Sequence, residues 1–245
     1  MGRWFARFFK EAGFRVLIYG RTPETARKVA KNLGVTLGSI DDAEDSDIVM
    51  VSVPAAATPD TCLKLGEKMK GGSALVEISA VKSDIEKLAE KIPLEVGFLS
   101  IHPLFGPSAK NLNKQDIVMV LNRESLWTKA LRNHFEDRGA RIIKMTSHEH
   151  DRCMACVQSL HHFALLSLGY AMSKCDPKFK NVSTRSLKPT LKTIKSMLKN
   201  LDTIEEIQSR NPYSKEAREL FHKIVKEFAE EKPEEWLTKL RKMKN

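Results

Sequence analysis

Ile48-Val49-Met50-Val51-Ser52-Val53 is the stretch that decides the fold. It is a nearly unbroken run of β-branched and aliphatic residues, without the polar alternation of a strand wetted on one side, so it reads as a strand covered on both faces. Ala74-Leu75-Val76-Glu77-Ile78 repeats the pattern, and Phe14–Tyr19, Gly97–Ile101, Ile117–Leu121 and Arg141–Met145 extend it to a sheet. Between these runs the apolar period changes to that of helices. Residues 3–12 set Trp4, Phe5, Phe8 and Phe9 on one side and stop at Gly13, and Pro23–Leu33 begins after Thr22 as a cap. Further helices are predicted over 58–69, 83–91 and 124–138. Strand and helix in alternation predict a doubly wound α/β architecture with a parallel sheet over residues 1–147. After Ser147 the strand signals stop, and helical patterns near 148–174, 187–199, 202–210, 214–230 and 233–243 predict a second, all-α domain over 148–245.

A length of 245 residues suits two domains. No apolar run approaches the roughly 18–20 residues of a membrane span, and Met1-Gly2-Arg3-Trp4-Phe5 lacks the apolar block of a signal peptide, so a cytoplasmic protein is expected. Cys62, Cys153, Cys156 and Cys175 then read as reduced thiols. The net charge of +10 admits nucleic acid, an acidic membrane, or a small polyanionic substrate with a phosphate-bearing cofactor. Against nucleic acid, the lysines are spread along the chain and no zinc-finger, RRM or KH signature occurs. Lys188, Lys192, Lys195 and Lys199 fall on one helical face and read as a solvated stripe.

A Rossmann-type dinucleotide domain opens with a strand, a glycine-rich turn and a helix whose amino terminus meets the pyrophosphate. Here Gly2 followed by the helix at 3–12 reads as the last glycine of G-x-G-x-x-G, with the first strand and two glycines missing. A misassigned start codon, or a remnant with impaired cofactor binding, would each account for this. At the end of the next strand a carboxylate would bind the ribose 2′-hydroxyl of NAD. The chain instead has Gly20-Arg21-Thr22, and Arg21 with Thr22 suits the 2′-phosphate of NADP, so NADP is favoured over NAD.

His102-Pro103-Leu104-Phe105-Gly106-Pro107 puts an imidazole where a strand gives way to a loop, the usual place for chemistry in α/β enzymes. Together with Val51-Ser52-Val53-Pro54, Val81-Lys82, His150-Asp151 followed by Gln158 and His162-Phe163, and Ile207-Gln208 with Asn211-Pro212, this motif resembles the prephenate dehydrogenase (TyrA) family, closest to its archaeal and enteric forms. The resemblance runs over nearly the whole chain. It implies oxidative decarboxylation of prephenate to 4-hydroxyphenylpyruvate on the route to tyrosine, with His102 accepting the proton of the ring hydroxyl as hydride leaves. His162 and Gln158, one helical turn apart, would hold the substrate, with Gly2, Val53 and Pro54 beside the cofactor. A homodimer through the helical domain is also implied.

Two positions depart from the family pattern. Where a serine usually precedes Val-Lys, the chain has Ala80, so either Ser79 serves from a shifted loop or that hydrogen bond is missing. Lys195 stands in place of a substrate-binding arginine and keeps the charge without the bidentate fork, which leaves Lys195 and Arg185 competing for the substrate carboxylate. Cys153-x-x-Cys156, close to His148, His150, His161 and His162, is half of a zinc motif on what reads as continuous helix, and no metal is expected. The alternatives are arogenate as substrate, or a non-catalytic ligand-binding or dimerising remnant.

Overall fold

Helix α1 (Gly2–Glu11) forms where aromatic residues recur at helical spacing: Trp4, Phe5 and Phe8 are buried and Phe9 packs against them. It opens a computed structural model that describes residues 1–176, 178 and 182–244 and falls into two units, Met1–His150 and Asp151–Asn245. In the first unit α1 is followed by β1 (Leu17–Ile18), α2 (Pro23–Leu33), β2 (Thr36–Leu37), β3 (Ile48–Val51), α3 (Thr58–Gly66), β4 (Ala74–Glu77), α4 (Ile85–Lys91), β5 (Gly97–Pro103), β6 (Asp116–Arg123), α5 (Leu126–Asp137) and β7 (Arg141–Lys144).

Strands β3 to β7 lie side by side in chain order as one five-stranded sheet, while β1 and β2 pair in parallel as a separate two-stranded sheet. The architecture is Rossmann-like and mostly parallel, with one correction. Strand β6 runs antiparallel to β5, because residues 104–115 contain no helix to carry the chain back across the sheet. The register between them shifts after Ser100, which faces Leu121, to Ile101, which faces Met119. Such a bulge bends the strand and re-aims the side chains beyond it, and His102 is the next residue.

The continuous apolar runs serve two cores at once. Val76 and Leu99 face a cluster with Trp4, Phe5, Phe8, Leu131 and Phe135, whereas their neighbours Leu75 and Phe98 face Cys62, Leu65, Ile85 and Leu88 on the other side. Helices α1 and α5 therefore cover one face and α3 and α4 the other. Thr22 sits at the amino-terminal cap of α2 without a capping side-chain bond, and Pro23 supplies the start.

The second unit is helical. Helix α6 (Ser147–Met154) enters it, followed by a π-helical turn (Ala155–Leu160), α7 (His161–Ser173), α8 (Leu187–Met197), α9 (Leu201–Arg210), α10 (Ser214–Glu230) and α11 (Pro233–Arg241). The single helix expected over 148–174 is thus interrupted by the π turn. None of the residues of α7 is fully buried within the unit, although the helix is apolar on every side. Among the described residues no helix is long and apolar enough to cross a membrane.

Candidate active site

Every residue of β5 is buried, and His102, next to last in that strand, is only 5% exposed. Beneath it lies a closed polar network. The Glu77 carboxylate, at the end of β4, receives Lys82 and the Ser100 hydroxyl on one oxygen. Its other oxygen receives the Ser79 backbone N–H at 2.9 Å and the Ser79 hydroxyl at 2.6 Å. Lys82 also donates to the Ile101 carbonyl at 2.7 Å, which ties the ammonium to the backbone just before His102. Glu77, Lys82 and Ser100 are all fully buried, so removing one charge would leave the other stranded, at a cost of about 3–5 kcal/mol.

The neighbour of His102 across the unit is another histidine. His102 Nδ1 lies 2.9 Å from Nε2 of His150, and the two rings meet at 67°. His150 is fully buried in the first turns of α6. That turn is fixed by a reciprocal cap, in which the Thr146 N–H donates to the Glu149 carboxylate at 2.8 Å and the Glu149 N–H donates to the Thr146 hydroxyl at 3.2 Å. Burial, then the nearby His150 and Lys82, hold His102 well below the usual histidine range, so its imidazole is neutral near pH 7.

The amino terminus of α1 provides a place for a dinucleotide. A Cβ on Gly2 would come within 3.1 Å of Ser52 Cβ, so bare backbone passes beside the turn after β3, where Val53 and Pro54 are exposed. No side chain caps α1 and its first turn holds no acidic residue, which leaves the positive end of the helix open to a phosphate. Arg21 and Thr22 stand exposed between β1 and α2. These groups are the ones this unit offers to a dinucleotide.

In the second unit Gln158 lies on the π turn and His162 is the second residue of α7. Gln158 Oε1 and His162 Nδ1 are buried atoms without a hydrogen-bond partner among the described residues. Burial, then His161, hold His162 below the usual histidine range. Lys195 on α8 and Arg185 just before it are exposed. The Ser79 hydroxyl is taken up by Glu77 and, at 2.9 Å, by the Val81 carbonyl, while Ala80 offers no hydroxyl. Cys153, Cys156 and Cys175 are exposed, Cys62 is buried, and no group of three metal-ligating side chains occurs among the described residues.

Two polar residues have a role that their spacing did not reveal. Gln208 donates to the Ser159 carbonyl at 2.7 Å and Asn211 to the Asp151 carbonyl at 2.7 Å, so α9 and its end hold the helix that carries Gln158 and His162. Ser159 and Ser214 hydroxyls meet at 2.6 Å in the same place, and Arg218 donates to Gln208. The Ile207-Gln208 and Asn211-Pro212 pairs were the available signal. They read as a family likeness, and their partners lie 49 and 60 residues earlier.

Residues 5–144 match the family model of the prephenate dehydrogenase nucleotide-binding domain. Over 94% of its length the chain is 32% identical to a protein of Methanocaldococcus jannaschii described as "Probable arogenate/prephenate dehydrogenase", of which it covers 54%. It is 28% identical to the T-protein of Haemophilus influenzae over 71% of this chain and 43% of that one. The chain therefore spans about half the length of the curated relatives it matches. Its fold is similar to that of prephenate dehydrogenase from A. aeolicus, crystallised with hydroxyphenyl propionate and NAD+, with a TM-score of 0.69, 22% identity, and coverage of 100% of this chain and 93% of that one.

Proposed function

The chain belongs to the prephenate dehydrogenase family, and on that premise we propose that it catalyses the oxidative decarboxylation of prephenate to 4-hydroxyphenylpyruvate. The observation that carries the proposal is the buried, neutral imidazole of His102 at the end of β5. A neutral imidazole takes the proton of the ring hydroxyl as the carbon–oxygen double bond forms, while the carbon–hydrogen bond on the same carbon breaks and its electron pair would leave as hydride to a bound nicotinamide. The bond to the ring carboxylate then breaks, its electron pair enters the ring, carbon dioxide departs, and the imidazolium returns the proton to the phenolate oxygen. Burial opposes lasting charge on His102, which favours that return.

NADP, held at the amino terminus of α1 by Gly2, Val53 and Pro54 and at its 2′-phosphate by Arg21 and Thr22, would supply the hydride acceptor. Gln158, His162 and Ser79 are proposed to hold the substrate, the Ser79 hydroxyl being oriented by Glu77. Prephenate is a dianion and needs a cation for its side-chain carboxylate. Lys195 and Arg185 are the two candidates, and of these Arg185 alone offers a bidentate fork. We further propose a homodimer formed through the helical unit, since α7 is apolar all round and leaves Leu168 42% and Tyr170 68% exposed.

The test is turnover of purified protein with prephenate and with arogenate, each with NADP and with NAD, in the unmodified chain, His102→Asn and Arg21→Ala. Expected are reduced nicotinamide with prephenate, a loss of about 10²–10⁴-fold in kcat for His102→Asn, and a higher KM for NADP but not NAD in Arg21→Ala. Faster turnover of arogenate would reassign the substrate, as the dual description of the archaeal relative allows. Binding of prephenate without any reduction of cofactor would leave a ligand-binding role instead.

A further inference from the structure

Two buried imidazoles joined nitrogen to nitrogen share one proton, and its position decides what each ring can do. If the proton sits on His150 Nε2, then His102 Nδ1 is the acceptor. The remaining hydrogen of neutral His102 is then on Nε2, and that nitrogen has no lone pair to offer. If the proton sits on His102 Nδ1, the lone pair is on Nε2 and the ring can act as a base. We propose that His150 is the positioning residue for His102: its Nε2 accepts the hydrogen bond from His102 Nδ1–H and so selects the tautomer whose Nε2 can take the substrate's proton.

This inference rests on His102 being the base. The geometry suits the task on three counts. The 2.9 Å separation is that of a full hydrogen bond, and both rings are withdrawn from water, which would otherwise exchange with either nitrogen. The backbone that carries each ring is pinned, that of His150 by the Thr146–Glu149 cap and its own N–H bond to the Thr146 carbonyl, and that of His102 by the Lys82 bond to the carbonyl before it. When His102 gains a proton, the charge is shared through the same bond with a neutral acceptor. A buried carboxylate in that place would hold the proton more tightly and slow its return to the product oxygen. The chemistry is that of the orienting member of a triad, with a neutral ring in place of the usual anion.

The experiment is long-range proton–nitrogen NMR of protein labelled with nitrogen-15 in histidine, together with steady-state kinetics, for the unmodified chain, His150→Phe, His150→Gln and His102→Asn. The expected spectrum of the unmodified protein has His102 protonated on Nδ1. His150→Phe should move that hydrogen to Nε2 and lower kcat about 100-fold with KM for prephenate unchanged. His150→Gln, whose amide oxygen can accept from Nδ1–H, should restore the tautomer and most of the rate. A His102 that is protonated on Nε2 in the unmodified chain, or a tautomer and kcat unaltered in His150→Phe, would overturn the proposal. Full activity in His102→Asn would instead overturn the assignment of the base itself, so the two failures are distinguishable. Should His150→Phe not fold, the spectrum of the unmodified chain and the His150→Gln rescue still decide.

Discussion

His102 couples the site to acid stability through its burial. In the unfolded chain an imidazole titrates near 6.5, whereas in the fold burial, with His150 and Lys82 adding, keeps His102 neutral to well below that value. Below about pH 6.5 the unfolded state therefore binds a proton that the folded state refuses. The stabilisation is complete above the unfolded value and is lost as pH falls toward the folded one, at up to about 1.4 kcal/mol per pH unit for one such group. Urea unfolding at pH 7.5 and pH 5.5 should show a lower midpoint at the acidic pH, and the drop should shrink in His102→Asn. Equal drops in the two proteins would show that His102 does not govern it. The location of this residue was legible in the sequence because a lone imidazole after an apolar run, ahead of Pro-Leu-Phe-Gly-Pro, marks a strand end. Its partner was not, because His150 lies 48 residues away and nothing local signals that its ring faces another histidine.

At the scale of elements, strands and helices with strong periodicity stand where their pattern puts them, as α2 at Pro23–Leu33 and α10 at Ser214–Glu230 do. The misses share a cause: their outcome depends on residues far away in the chain. Six apolar or aromatic-flanked residues at 14–19 form only the two-residue β1, whose one paired neighbour is the equally short β2. The direction of β6 was available from the missing helix at 104–115, which leaves no crossover. The π turn was beyond reach, since Ala155–Leu160 has ordinary helix-forming residues and its buried carbonyl at Ser159 is satisfied by Gln208, far along the chain. Gln208→Leu should strand that carbonyl and destabilise the protein by about 1–3 kcal/mol. It should also weaken prephenate binding, because Gln158 lies on the turn and His162 just after it. Urea unfolding with KM measurements checks both, and an unchanged KM would separate the clamp from the substrate residues.

At the scale of the whole molecule, the division after residue 150 separates a sheet unit that carries the proposed base from a helical unit that carries the proposed substrate residues. The change from strand to helix patterning near Ser147 was visible in the sequence. What the helical unit does with its apolar α7 was visible only as family likeness, since an all-round apolar helix reads the same whether it is covered by its own chain or by another. If two copies cover it, sedimentation should give a dimer at micromolar concentration, and Tyr170→Glu should shift it to monomer without disturbing the sheet unit. A monomer at all concentrations would remove the dimer. The π turn has one more consequence, for heredity rather than chemistry. A π turn winds one extra residue into the path of an α-helix, so a single residue lost between Ala155 and Leu160 would rewind it to α-helix and leave the 13 residues of α7 facing as they do now. The turn therefore absorbs the gain or loss of one residue, whereas the same change inside α7 would rotate everything after it by about 100°.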